Sequence, residues 1–332
     1  MSYFKILNSH FQQYHSFCYI KKSFLVFGKN GWIGGQVIKL LEDRGFTVYR
    51  AESRLENTQD VCAELDKYKP DYVINAAGLT GRPNVDWCES HKEDVVRVNV
   101  VGTVALTDAC FRRNIPCTVY ATGCIYEYDA EHPLGSGKGF TEEDEPNFSG
   151  SFYSYTKTMA EKLQKVYSNV LILRVRMPIS DDLSPRNFIT KISKYERVVN
   201  IPNSMSVLYD LLPISIELTL HDCRGVYNFT NPGVISHNEI LDLYKKYIDE
   251  SFTYKNFSLE EQAKVLAAGR SNNELDATKL VTKCRELGLE VPPIKESIVH
   301  VFERMQVNLG LKKNCFVCFI MPDEERVMTR IH

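Results

Sequence analysis

SFLVFGKNGWIGGQVIKLLEDRG, residues 23–45, joins two kinds of hydrophobic periodicity through a glycine loop. SFLVFG (23–28) is a short apolar run of the kind that forms a buried strand. GGQVIKLLEDRG (34–45) sets Val37, Leu40 and Leu41 on one face at helical spacing, and Gly45 stops the helix. Between them lies Gly28-Lys29-Asn30-Gly31-Trp32-Ile33-Gly34, a GxxGxxG pattern. Glycines let a backbone turn tightly and approach a pyrophosphate, and the following helix N-terminus offers free amides and a positive dipole end. The spacing departs from GxGxxG, so the strand–loop–helix context carries the reading. Gly28, Lys29, Gly31, Trp32, Ile33 and Gly34 are therefore the expected contacts of a bound dinucleotide.

The same alternation continues outward. TVYRAE (47–52), DYVINAAG (71–78), CTVYAT (117–122) and VLILRV (170–175) read as strands. VVRVNVVGTVALTDACFRR (95–113) and SYTKTMAEKLQKVY (154–167) read as helices between them. This order predicts an α/β protein with a Rossmann-like, doubly wound parallel sheet over residues 23–175. Beyond Arg176 the loops carry more Pro and Asn, and Ser236 to Glu239 form a capping box ahead of ILDLYKKYI. Residues 176–308 are expected to form mainly a smaller, interleaved substrate-binding lobe, with 226–231 (VYNFTN) returning to the main sheet. Residues 1–22 read as an N-terminal extension without the marks of a secretory or transit signal. Residues 309–332 read as a C-terminal tail, in which Cys315 and Cys318 make one isolated CxxC, too little for a zinc site.

Composition narrows the function classes. The 332 residues are 44% hydrophobic and 25% charged with a net charge of −2, so no basic field points to nucleic acid. No apolar run approaches the ~20 residues a membrane span needs. Ten cysteines without a disulfide rhythm imply reduced thiols and a cytoplasmic setting, and no metal is expected.

Near the end of the second strand, Arg50 and Arg54, with Lys29 from the glycine loop, favour the extra phosphate of NADPH, while Glu52 suits the ribose diol of NADH and keeps that alternative open. Asn75-Ala76-Ala77-Gly78, closing the next strand, are further expected cofactor contacts. Of the 18 tyrosines only Tyr153 has a lysine four residues on, Lys157. On a helix the two share a face. The ammonium is then expected to favour the phenolate, and the tyrosine to protonate a carbonyl oxygen as hydride arrives.

GxxGxxG, Asn75-Ala76-Ala77-Gly78, Thr122 and Tyr153-x-x-x-Lys157, in this order, resemble an extended short-chain dehydrogenase/reductase. The stretches GRPNVDWCESH, ATGCIYEYD, FYSYTK, LRVRMPIS, PRNFITKIS and RSNNELDATKL narrow the likeness to the bifunctional nucleotide-rhamnose synthases, which also occur as the C-terminal part of plant rhamnose synthases. The resemblance spans about residues 23 to 303. It implies conversion of UDP- or dTDP-4-keto-6-deoxy-glucose to the L-rhamnose nucleotide by inversion at C3 and C5 and NADPH reduction at C4. A homodimer through the Tyr153–Lys157 helix and the helix before it is implied likewise.

That chemistry gives ATGCIYEYD (121–129) a meaning. Thr122 and Tyr153 would hold the C4 oxygen. The carbons beside it need a separate base, and Cys124 stands two residues from Thr122; a related epimerase/reductase, GDP-fucose synthase, carries a cysteine base at this offset. The histidine acid of that enzyme has no counterpart in PRNFITKIS, where Lys191 is the implied substitute. Arg82, Asn84, Asn187, Asn203 and Arg270 are the implied substrate contacts. Two rivals remain at this point: a GDP-fucose synthase-like enzyme, and a non-catalytic NADP-binding subunit resembling the methionine adenosyltransferase β subunit. The missing histidine speaks against the first, and the thiol, which a binding module does not need, against the second.

Overall fold

In the computed structural model, which describes residues 22–312, six parallel strands form the main sheet. They are β1 (Ser23–Phe27), β2 (Thr47–Arg50), β3 (Tyr72–Asn75), β4 (Cys117–Thr122), β5 (Val170–Val175) and β7 (Gly225–Asn228). Their spatial order is β2-β1-β3-β4-β5-β7. The two terminal extensions, with Cys315 and Cys318, lie outside the described residues.

Alternation along each strand builds two core layers, because successive side chains point to opposite faces. Phe24 and Val26 pack with Ile74, Leu171 and Leu173 against Val37, Ile38 and Leu41 of α1 (Trp32–Asp43). Leu25 and Phe27 pack with Val73, Val119 and Ile172 on the other face. There they meet Val61 and Leu65 of α2 (Thr58–Tyr68) and Leu106, Ala109 and Cys110 of α5 (Thr103–Phe111). Each such large side chain taken from water is worth about 1.5–3 kcal/mol, so both faces must be covered, as a parallel sheet requires.

Ahead of α5 come α3 (Trp87–Ser90), α4 (Lys92–Val96) and a π-helical stretch, Arg97–Gly102. The helical reading of 95–113 thus carries one change of pitch. Within it Asn99 turns its amide onto Leu79, donating to the carbonyl and accepting the N–H, both at 2.8 Å. Helix α6 (Phe152–Gln164) begins where the Ser151 side chain caps the Ser154 N–H at 3.1 Å.

A third cluster lies apart from the sheet. It joins α7 (Phe188–Ile192), α9 (His237–Tyr247) and α12 (Ile294–Asn308) through Ile189, Ile240, Leu241, Val301 and Phe302. A two-stranded pair, β6 (Arg197–Val198) with β8 (Lys255–Asn256), borders it through Val198, and α10 (Leu259–Val265) follows β8 in the chain. Both halves of the Ser236–Glu239 capping box are present at α9. The remaining helices, α8 (Leu208–Leu220) and α11 (Thr278–Glu286), cover the main sheet. Strand β7 runs beside β5, with Leu173 opposite Tyr227.

The topology fixes where a ligand can sit. Strand β2 lies on one side of β1, and β3 and its successors lie on the other. This switch opens a crevice at the carboxyl ends of the strands. Gly28, Ala76, Thr122 and Arg176 all stand at those ends, Thr122 in the last β4–β5 pair, Thr122↔Val175, and Arg176 just beyond it.

Candidate active site

The glycine loop is a cradle that side chains would fill. Gly28 has φ +86°, and a Cβ there would come within 2.6 Å of the Ala77 nitrogen. A Cβ on Gly34 would come within 2.2 Å of the Gly28 carbonyl. The Gly31 N–H closes the turn on that carbonyl at 2.8 Å. Opposite, Asn75 is buried; its Oδ1 accepts the Ala77 N–H at 3.0 Å while its Nδ2 has no protein partner. A bare loop, a helix start and an orphaned buried amide fit a dinucleotide pyrophosphate and its sugars. Gly78, exposed beyond Ala76 and Ala77, borders Asn99. Trp32 donates from Nε1 to Asp182 Oδ2 at 2.7 Å, which ties the loop to the second half of the chain, and Ile33 packs under it in the core. Lys29 pairs with Glu52, Arg50 with Glu42 at 2.7 Å and Arg54 with Glu56 at 3.3 Å, so all three predicted cations already have carboxylate partners.

Thr122, Cys124 and Tyr153 come together at the end of β4, with Lys157 one turn further along α6. Thr122 is buried and accepts the Cys124 N–H at 3.1 Å, and its hydroxyl bears on the Tyr153 phenol. One expectation reverses here. The Tyr153 phenol is pushed up from its ordinary value, chiefly by burial and then by Cys124, with Thr122 opposing. Burial pulls Lys157 down to about 8, against an upward pull from Glu161. The pair is thus not a ready phenolate–ammonium pair, because burial disfavours the charged form of each residue. A neutral phenol is the form that can give a proton to a carbonyl oxygen.

Cys124 stands half-buried beside them, its Sγ 3.5 Å from Arg176 Nη1. Lys191, on α7, lies within electrostatic reach of Cys124; burial first and Arg186 second lower its pKa, which makes its ammonium a readier acid. Arg186 donates to Thr80 Oγ1 at 2.9 Å and to the Gly81 carbonyl at 3.1 Å, and the charge of Arg82 also bears on it.

The other expected substrate contacts are placed differently. Asn187 caps α7, accepting the Ile189 N–H at 3.2 Å and donating to the Ser180 and Asp182 carbonyls at 2.7 Å each. Asn203 is fully buried and is committed to Arg176, the Asn273 N–H, the Ile201 carbonyl and Asn272. Both amides are internal holders, because folding uses up their hydrogen-bonding capacity. Asn84 closes a turn on the Asp86 N–H at 2.8 Å, and Arg270 pairs with Asp86 at 2.8 Å. Arg82 remains exposed at the rim.

Two residues escaped the sequence reading. Asn99 fastens the loop after β3, and a polar residue inside an apolar helical run was the available signal. Arg176 touches the thiol, and the signal was an arginine pair in VLILRVRMP, where charged residues enter an otherwise buried strand.

Comparison with known proteins agrees with this geometry. The RmlD substrate binding domain family matches residues 22–211. The chain is 61% identical over 283 residues to the bifunctional dTDP-4-dehydrorhamnose 3,5-epimerase/dTDP-4-dehydrorhamnose reductase of Arabidopsis thaliana, covering 85% of this chain and 93% of that protein. It is 57% identical over 282 residues to a trifunctional UDP-glucose 4,6-dehydratase/UDP-4-keto-6-deoxy-D-glucose 3,5-epimerase/UDP-4-keto-L-rhamnose-reductase of the same plant, covering 84% of this chain and 42% of that protein. The crystal structure of the UDP-rhamnose synthase of Acanthamoeba polyphaga mimivirus superposes with a TM-score of 0.81 at 40% identity, covering 86% of this chain and all of that one. The chain belongs to the RmlD substrate-binding-domain family and, within it, to the nucleotide-rhamnose epimerase/reductases.

Proposed function

We propose that the protein converts UDP- or dTDP-4-keto-6-deoxy-D-glucose to the corresponding L-rhamnose nucleotide by 3,5-epimerisation and NADPH-dependent 4-reduction. The observation that carries this is one strand end, where the Thr122 hydroxyl accepts the Cys124 N–H at 3.1 Å and both residues bear on the Tyr153 phenol. The C4 ketone acidifies the protons on C3 and C5. Cys124 removes each proton, and Lys191 returns one to the opposite face. Thr122 and Tyr153 hold the C4 oxygen, where the enolate charge gathers. NADPH, when bound, supplies hydride to C4. Tyr153 then gives its proton to the C4 oxygen, and Lys157 orients the reacting groups and helps restore that proton. Gly28, Gly31, Gly34 and Asn75 to Gly78 form the cofactor's pyrophosphate and sugar cradle. Arg82 and Arg270 lie toward the nucleotide end of the substrate.

The experiment offers each nucleotide sugar with NADPH. Cofactor oxidation and a rhamnose nucleotide as product support the proposal. No oxidation with either substrate sinks it.

A homodimer is part of the same reading. Tyr155, Met159 and Leu163 recur every four residues on α6 and remain 49%, 38% and 49% exposed, with Phe111 of α5 at 45%. An apolar helical stripe of this kind suits a second copy. Light scattering on the purified chain should give twice the monomer mass, and a monomer would refute it. Among the described residues no helix is long and apolar enough to cross a membrane. The seven cysteines there are free thiols, which supports a cytoplasmic setting.

A further inference from the structure

Two arginines stand two residues apart where β5 ends, both fully buried, and their surroundings differ. Arg174 has a carboxylate: Nη2 donates to Glu161 Oε1 at 2.6 Å, and Nε bridges to Oε1 and Oε2 at 3.2 and 3.1 Å. Arg176 has none among its contacts. Its Nη2 donates to Asn203 Oδ1 and to the Ser271 carbonyl at 2.8 Å, and its Nη1 donates to Ser271 Oγ at 3.1 Å and Cys124 Sγ at 3.5 Å. Its Nε has no partner.

A guanidinium keeps its charge in proteins, and a buried cation without an anion is strongly disfavoured. The Cys124 sulfur is the atom in direct contact with Arg176 that can become an anion. Two other titratable groups bear on the guanidinium. Burial pushes the Tyr128 phenol up to about 12 and His237 down to about 4, so both are neutral near neutral pH. Around the thiol itself stand Arg176 from the end of β5, Lys191 from α7 and Tyr153 from α6. Burial lowers the pKa of Lys191 and of Arg176 alike, with Arg186 adding to it at Lys191, and Arg176 is the cation in hydrogen-bond contact with the sulfur. Asn203 and Ser271, held in turn by Asn273 and the Tyr126 carbonyl, aim the guanidinium at the sulfur.

We propose that Arg176 is the positioning residue that holds Cys124 as the thiolate base for proton abstraction at C3 and C5. The inference rests on the epimerase reading given above. In each inversion the thiolate takes the proton from carbon, and the C–H electron pair moves into the enolate, placing charge on the C4 oxygen. The Lys191 ammonium delivers a proton to the other face. The thiol then releases its proton to solvent and the amine regains one, so nothing is oxidised or reduced. The fixed charge of Arg176 favours that release and resets the base.

The test follows alkylation of Cys124 by iodoacetamide against pH, read by mass spectrometry of its peptide, in the full chain and in Arg176→Met and Arg176→Lys. NADPH binding checks folding, and solvent-deuterium exchange at C3 and C5 of the 4-keto sugar nucleotide is measured alongside. The alkylation midpoint should rise by about one pH unit or more in Arg176→Met and by less in Arg176→Lys. Exchange near pH 7 should fall about tenfold or more and recover above about pH 9. If Arg176→Met loses NADPH binding, Arg176→Lys decides. An unmoved midpoint in a variant that binds NADPH overturns the proposal. A shifted midpoint with no exchange in the unmodified protein would leave the Arg176–Cys124 pairing standing and remove the epimerase reading instead.

Discussion

The Thr122 hydroxyl oxygen accepts the Cys124 N–H at 3.1 Å, so one hydrogen bond links the side chain proposed to hold the C4 oxygen to the one proposed to act on the neighbouring carbons. Thr122→Val keeps the shape and removes the oxygen. It should lower the rate of reduction about 10²–10³-fold, the usual cost of losing an oxyanion donor, and it should also slow exchange at C3 and C5. Thr122→Ser should retain both activities to within about tenfold. Parallel measurements of NADPH oxidation and deuterium exchange check this. A Val variant with full exchange would show that the threonine serves reduction alone.

Cys124→Ser separates the half-reactions. A serine hydroxyl is a far poorer base than a thiolate, so exchange at C3 and C5 should cease. NADPH binding and reduction of an already epimerised 4-keto sugar should persist. Mass spectrometry of recovered substrate from deuterated buffer gives the first quantity, and cofactor oxidation the second. Persistent exchange would move the base to another residue.

The glycine loop, the strand end and the Tyr–Lys helix were legible because their signals are local. Gly28 to Gly34, Thr122 and Tyr153-x-x-x-Lys157 each sit within one strand, turn or helix, where spacing alone fixes who faces whom. The thiol's neighbour was not. Arg176 meets Cys124 from 52 positions away, and its holders Asn203 and Ser271 come from other loops. Asn187 and Asn203 read as ligand contacts because an asparagine in a loop looks the same whether it binds a ligand or braces a turn. The direction of the Tyr153 shift was misjudged for a related reason: helical spacing shows a pair, but burial sets its charge state.

Lys157 gives a stability prediction with a definite sign. Its pKa falls from 10.5 in the unfolded reference to about 8 in the fold. Below about 8 the lysine is charged in both states, and the full penalty for burying the charge is present. Between about 8 and 10.5 the folded protein binds fewer protons than the unfolded chain, so stability rises with pH and the penalty fades. Lys157→Met should therefore abolish reduction yet raise the melting temperature at pH 7 by a few degrees, on the order of 1–3 kcal/mol. The gain should shrink as the pH approaches 10. Melting curves across that range check it, and a gain that does not change with pH would exclude the buried charge as its source.

Glu161 lies one further turn along α6, 3% exposed and clamped to the fully buried Arg174, which also donates to Asn228 Oδ1 at 3.1 Å. The clamp fixes α6 to β5 and so holds Tyr153 and Lys157 over the strand ends. Glu161→Gln leaves the guanidinium buried without its anion and should cost about 3–5 kcal/mol of stability. It also removes the one charge that raises the Lys157 pKa, so the lysine should drift further toward neutrality. Breaking the exposed Lys39–Asp43 pair by Lys39→Ala should cost no more than about 0.5 kcal/mol, as surface pairs do. Replacing both buried partners together, Glu161→Leu with Arg174→Met, should recover much of the loss, because no unpaired charge then remains. Urea unfolding of the three variants measures each quantity. A double variant no more stable than Glu161→Gln would mean that the fold needs this ion pair itself, rather than merely a well-packed filling.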